Sequence, residues 1–177
     1  MDARIADLVR RGADEALDAL YVRYADEIQG VAFLILRDRF DAEDVMADTL
    51  IAAWRRGPEL RDPGALRPWL LRIATNRAIS LRRRRRDVRL LENVEVATAD
   101  STGPLAARMA LLAAIDDLPI EMRAAVVLHY FADLTVDDVA KALGKSPNTI
   151  KSQLRVALGR LRAAHDESAS GRFQDVG

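Results

Sequence analysis

Cysteine is absent from this 177-residue chain. That excludes disulfide frameworks, thiol nucleophiles and every zinc or iron–sulfur centre that needs thiolate ligands. Histidine is scarce, with only His129 and His165, and aromatic residues make up 5%. Core area must therefore come from Leu, Ile and Val at regular spacing, which favours packed helices. No uncharged apolar run approaches the roughly 20 residues needed to span a bilayer. The opening residues MDARIADLVRRGADEALD mix acids and bases from the second position, so they lack the apolar stretch of a signal peptide. These absences predict a cytoplasmic protein with no direct membrane insertion. There is also no Gly-rich phosphate loop, and the adjacent pairs Asp116-Asp117 and Asp137-Asp138 point in different directions on a helix. No enzymatic activity, cofactor or metal site is expected.

The length allows one ordinary domain or two small ones. The formal net charge is zero, but the charges are partitioned along the chain. Residues 1–54 hold 6 Arg and Lys against 12 Asp and Glu, residues 55–89 hold 12 against 3, and residues 90–177 hold 9 against 12. An element that binds a polyanion inside an otherwise acidic protein has this signature. Only Lys141, Lys145 and Lys151 are lysines among the 27 basic residues, so the excess is arginine, the better fork for phosphate.

Hydrophobic periodicity predicts a long amphipathic helix from Ala13 to Arg37, on Leu17, Leu20, Tyr24, Ile28, Val31 and Ile35. A second helix, capped by Asp41 with Asp44 completing the box, runs to about Arg56 before Gly57-Pro58. After a loop with two Gly and two Pro, a third helix starts near Pro68. The pattern then dissolves between Asp87 and Pro104. Helices return at about Leu105–Leu118, Ile120–Ala132, Val136–Leu143 and Pro147–Ala164. The expected fold is all-α: a first helical domain over 1–86, a flexible acidic linker over 87–104, a second helical domain over 105–165 and a polar tail over 166–177.

The second domain carries the most specific punctuation. Thr135 caps a short helix with Asp138 three positions on, Gly144 supplies the left-handed residue that ends it, and Ser146 caps the next helix with Pro147 at its first position. This is helix, tight turn, helix. Ile150, Leu154, Ala157 and Leu161 fall on one face of the second helix, while the opposite face presents Asn148, Lys151, Ser152, Arg155 and Arg162. An anchored back with an amide, hydroxyls and cations in front suits a helix that reads base edges in a major groove.

In the third helix Leu66, Leu70, Ile73, Ala74 and Leu81 share a face, and Arg72, Asn76, Ile79 and Arg83 form a stripe beside it, with Trp69 between the two. Five consecutive arginines, 82–86, extend the stripe. A cationic track with a flat aromatic and a side-chain amide can hold a phosphate backbone and engage an unpaired base. The same features serve membrane or partner binding. The helix before it presents Asp44, Ala47, Asp48, Ile51 and Arg55 outward, an apolar residue among acids, which suits docking onto a basic protein surface.

Taken in order, FDAEDVMADTLIAAW, RPWLLRIATNRAISLRRRRR, LPIEMRAAVVLHYF and LTVDDVAKALGKSPNTIKSQLRVALGRLR resemble a bacterial extracytoplasmic-function (ECF) sigma factor over about residues 13–164. The resemblance implies sigma regions 2 and 4 without region 1.1 or a full region 3. It implies that Asp44, Asp48, Ile51 and Arg55 dock on the clamp helices of the largest subunit of core RNA polymerase. It implies that Trp69, Arg72, Asn76, Arg83 and Arg84 read and melt the −10 promoter element, and that Asn148, Thr149, Lys151, Ser152 and Arg155 read the −35 element. Promoter DNA, core polymerase and an anti-sigma factor are the partners it implies. Where family members commonly carry Gln, this chain has Ala47, which removes one side-chain amide from the docking face. A helix-turn-helix regulator that binds duplex operator unaided is the alternative reading of the same reader, although it leaves the arginine-rich helix without a role.

Overall fold

The computed structural model describes residues 1–89 and 111–170. The expected linker and polar tail, apart from the helical residues 87–89 and 166–170, lie outside the described residues. The elements are helices α1 (Asp2–Arg11), α2 (Glu15–Leu36), α3 (Arg39–Arg55), two single 3-10 turns (Gly57–Glu59 and Pro63–Ala65), and α4 (Leu66–Arg89). They continue with α5, described over 111–116, α6 (Ile120–Val126), a π-helical turn (Val127–Phe131), α7 (Val136–Leu143) and α8 (Pro147–Ser170). No strand occurs among the described residues.

Helices α2, α3 and α4 pack on one another in the N-terminal half. Their inward faces are the periodic residues of the sequence, with Leu20, Tyr24, Ile28 and Ile35 on α2, Ala42, Val45 and Leu50 on α3, and Leu70, Leu71 and Ala74 on α4 all buried. Each buried Leu or Ile contributes about 1.5–3 kcal/mol relative to its exposed state. Thr49 is fully buried on α3 and stays satisfied because its hydroxyl donates to the carbonyl of Val45, 2.6 Å away.

Helix α1 was not legible as a separate element. It ends in the left-handed Gly12 (φ 63°), and its Ile5, Ala6 and Val9 are buried, closing the bundle near the two 3-10 turns. Gly57 is needed there for space: a Cβ at this position would stand 1.8 Å from the carbonyl oxygen of Val9.

The expected cap of the next helix shifts by one turn. Asp38, in extended conformation, caps α3 by accepting from the Asp41 amide at 3.0 Å. That hydrogen bond holds the Asp38 carboxyl below its ordinary range. Asp41 itself is buried inside the first turn, where desolvation raises its carboxyl despite the ion pair it makes with Arg85. Helix α4 likewise begins at Leu66 rather than Pro68, after Asp62 has accepted from the Gly64 amide to set the turn.

The C-terminal half follows the expected punctuation closely. Thr135 accepts from the Asp138 amide at 3.1 Å, Gly144 adopts φ 64°, and Ser146 accepts from the Thr149 amide at 3.1 Å. The helix expected over Ile120–Ala132 widens instead into a π turn from Val127, which buries Val127 and Leu128 but leaves Tyr130 and Phe131 exposed. Helix α8 runs six residues beyond Ala164.

The two halves share one continuous core in addition to their chain connection. Helix α4 packs against α2 and α3 of the N-terminal half and against α6 and α7 of the C-terminal half. Ile79, expected on the outward stripe, is therefore 8% exposed. Replacing Asp38 with Ala is expected to lower stability by about 1 kcal/mol in urea denaturation, the usual worth of an N-cap.

Candidate nucleic-acid and polymerase interface

Helix α8 is seated by its apolar side. Ile150, Leu154 and Ala157 are buried, and Leu161 packs against the same core. Asn148, Thr149, Lys151, Ser152 and Arg155 are all exposed, as expected. Thr149 differs from the other four: its hydroxyl stands 2.8 Å from the Ser146 hydroxyl within the cap, so it shapes the helix start. Lys151, Ser152 and Arg155 make an exposed polar front less than two turns long, the dimension that a major groove admits.

The second feature is a groove of about 1000 Å3 between α3, the two 3-10 turns and α4. Asp41, Asp44 and Asp48 line its α3 wall. Trp69, Arg72, Asn76, Arg77, Arg84 and Arg85 line its α4 wall, and Arg56, Glu59, Arg61 and Asp62 close the end at the turns. The two walls are tied by ion pairs, Arg77 to Asp48 at 2.6 Å and Arg85 to both Asp41 and Asp38. Trp69 is half-buried, with one side against the core and one on the groove. Arg72 and Arg84 are exposed along it.

The expected residues are thus only partly gathered. Trp69, Arg72, Asn76 and Arg84 share the groove, and Asp44 and Asp48 line its opposite wall. Arg83 does not line the groove. It turns toward the C-terminal half and pairs with Glu121. Asn76 is exposed, but its amide also reaches the carbonyl of Ala142 in α7 at 3.4 Å. The arginine run divides accordingly. Arg82 and Arg85 are half-buried, Arg83 is engaged by α6, Arg84 is open, and the side chain of Arg86 lies outside the described residues. On α3, Ile51 is 39% exposed beside exposed Asp44, Ala47, Asp48 and Arg55, so the acid-and-Ile face is present as expected.

Several residues that matter here carry no local signal. Arg77 faces Asp48, 29 positions away, and Lys145 pairs with Glu121 at 2.6 Å. Arg123 is 3% exposed and sits where the halves meet. It donates to the Ile35 carbonyl at 2.8 Å and to the Asp116 carbonyl, and it faces the Asp116 carboxylate at 3.4 Å. Asp116 in turn accepts from Arg37 at 3.0 Å. Burial pushes the Arg123 guanidinium below its ordinary value, and Asp116 opposes that shift. Substituting Arg123 with Met keeps the volume but leaves the acid of Asp116 with one cation fewer. A loss of about 1–3 kcal/mol in urea denaturation is expected, because the Ile35 and Asp116 carbonyls lose their donor while the partly exposed Asp116 carboxylate keeps Arg37.

Two family models match, Sigma-70 region 2 over residues 20–88 and Sigma-70 region 4 over residues 108–161. Among curated proteins, the chain is 32% identical over 162 residues to the ECF RNA polymerase sigma factor SigM of Mycobacterium tuberculosis, covering 90% of this chain and 82% of that one. It is 32% identical over 154 residues to the ECF RNA polymerase sigma factor SigE of Mycolicibacterium smegmatis, covering 82% and 60%. Among solved structures, CnrH in complex with the cytosolic domain of CnrY superposes with a TM-score of 0.72 at 26% identity, covering 94% of this chain and 97% of that one. The sigma factor RpoE of Bartonella quintana, in complex with the anti-sigma factor NepR, shares the fold with a TM-score of 0.70 at 23% identity, covering 85% and 96%. The matched regions, their order along the chain and these relatives show that the chain belongs to the ECF RNA polymerase sigma factors.

Proposed function

We propose that this sigma factor divides its task between the two DNA-facing features, with α8 holding duplex at the −35 element and the α3–α4 groove holding parted strands at the −10 element. The observation that carries this reading is the coexistence in one chain of a helix with a buried back and an open polar front and a separate cationic groove with an aromatic wall. Lys151, Ser152 and Arg155 contact base edges and phosphates, with Asn148 and the cap residue Thr149 at the helix entry. Trp69, Arg72, Asn76 and Arg84 face the unpaired strand, and Arg83 joins them once Glu121 releases it.

Asp44, Asp48, Ile51 and Arg55 form the surface that docks on the clamp helices of the largest polymerase subunit. An acidic, partly apolar helix face gains orientation from charge and affinity from burying Ile51. The chain supplies positioning and strand capture, while synthesis belongs to the polymerase. It works in the cytoplasm, where core polymerase and promoter DNA are, and no described helix is long and apolar enough to cross a membrane. Region 2 is assigned to 1–86 and region 4 to 105–165, with α4 running on to Arg89 and α8 to Ser170. An anti-sigma factor is a further partner, because the solved sigma factor of similar fold is complexed with one.

Run-off transcription with purified core polymerase tests the reading: transcripts from a cognate promoter are expected only when the chain is added, and their absence would sink it. Arg155→Ala is expected to cost about 1–3 kcal/mol of discrimination at the −35 element, read as relative transcription from promoter variants. Arg84→Ala is expected to weaken binding evenly across sequences and to reduce the salt slope by about 0.7–0.9. Identical behaviour of the two variants across promoters would contradict the division of labour.

A further inference from the structure

Glu121 stands in the first turn of α6, and its two carboxylate oxygens serve two cations that belong to different DNA-facing elements. Its Oε1 accepts from Arg83 of α4, and its Oε2 takes Lys145 Nζ at 2.6 Å. Lys145 follows Gly144 in the turn that leads into the reader helix. The Arg83 and Glu121 side chains are 60% and 34% exposed, so solvent and ions reach the cluster. Next to it on the same side of α4, the Asn76 amide meets the Ala142 carbonyl. An anionic oxygen pair between an arginine and a lysine presents to each what a backbone phosphate would present.

We propose that Glu121 is a built-in phosphate surrogate: in the partner-free chain it clips the arginine-bearing helix of the N-terminal half to the turn of the helix-turn-helix, and DNA phosphate must displace it. The proposal rests on the reading of α4 and α8 as DNA-contacting elements. It makes the closed arrangement self-limiting. Arg83 and Lys145 cannot serve Glu121 and two phosphates together, so the free chain binds DNA with fewer cations than it owns. Hydrogen bonding from Lys145 and the nearby Arg83 hold the Glu121 carboxyl below the usual carboxylate range, so the clip stays charged through neutral pH. The Arg123–Asp116 cluster also spans the two halves, but its Arg123 guanidinium is buried and offers no cation to a ligand.

The test uses the full chain without polymerase and a fork-junction DNA, part duplex and part single strand, followed by fluorescence anisotropy over a salt series. Glu121→Gln keeps the shape and removes the charge, while Asp117→Asn, an exposed acid close by in the chain, removes the same charge without touching the clip. Glu121→Gln is expected to tighten binding about 10-fold at low salt and to steepen the salt slope by about 1.4–1.8, which is about 0.7–0.9 for each of the two cations released. Asp117→Asn is expected to change affinity by less than about 3-fold with the slope unchanged. Equal effects of the two substitutions, or an unchanged slope for Glu121→Gln, would overturn the proposal.

Because the chain has no native cysteine, spin labels can be placed on cysteines introduced at exposed Ala3 and Ala163. A wider distance distribution in Glu121→Gln than in the parent supports the clip, and two superimposable distributions count against it. Run-off transcription by the unsubstituted chain reports separately on the proposed division of labour, so failure of that reading is distinguishable from failure of the clip.

Discussion

A single buried guanidinium sets the relation between the halves of this protein. Arg123 reaches from α6 to the carbonyl of Ile35, at the end of α2, and the acid that balances it, Asp116, is shared with Arg37 just beyond α2. Burying such a group is costly unless its hydrogen bonds are met, and here the two terminal nitrogens find carbonyls on both sides of the seam, while Nε has no partner among the described residues. Arg37 accepts a left-handed backbone (φ 59°), uncommon for a residue with a side chain, in a position from which its guanidinium reaches Asp116. The apolar core that runs through both halves contributes most of the burial, and the arginine cluster adds directional contacts across the seam.

The same accounting applies to the arginine excess. A helix with this many cations would repel itself if left unanswered, and α3 and α6 answer it: Asp48 takes Arg77, Asp38 and Asp41 take Arg85, and Glu121 takes Arg83. The acidic N-terminal third and the basic middle of the chain are therefore complementary surfaces of one folded body, which explains how a formal net charge of zero coexists with a strongly polarised sequence. Arg72 and Arg84 stay exposed along the groove, and the partly exposed pairs exchange partners at small cost because water screens them.

Membership of the ECF sigma factors gives these features a common purpose. The α3 wall of the groove carries the acids proposed to meet the polymerase, and the α4 wall carries the cations proposed to meet DNA, with Asp48 and Arg77 in direct contact across it. Two surfaces assigned to two partners thus share an ion pair.

Local chemistry alone determined the helical class, the helix-turn-helix and the outward faces of α3 and α8. Thr135, Gly144, Ser146 and Pro147 act within four residues of where they stand, and the spacing of Ile150, Leu154 and Ala157 follows directly from 3.6 residues per turn. Contact between distant residues decided the rest. Asp38 displaced Asp41 as a cap because Arg85, 44 positions later, gives a buried Asp41 its partner. Ile79 turned inward on an α4 that packs against both halves, and Arg83 left its track for a carboxylate 38 positions away. Such pairings follow no period in the sequence, since the energy that selects them exists only once the chain has closed and water has been excluded between its halves.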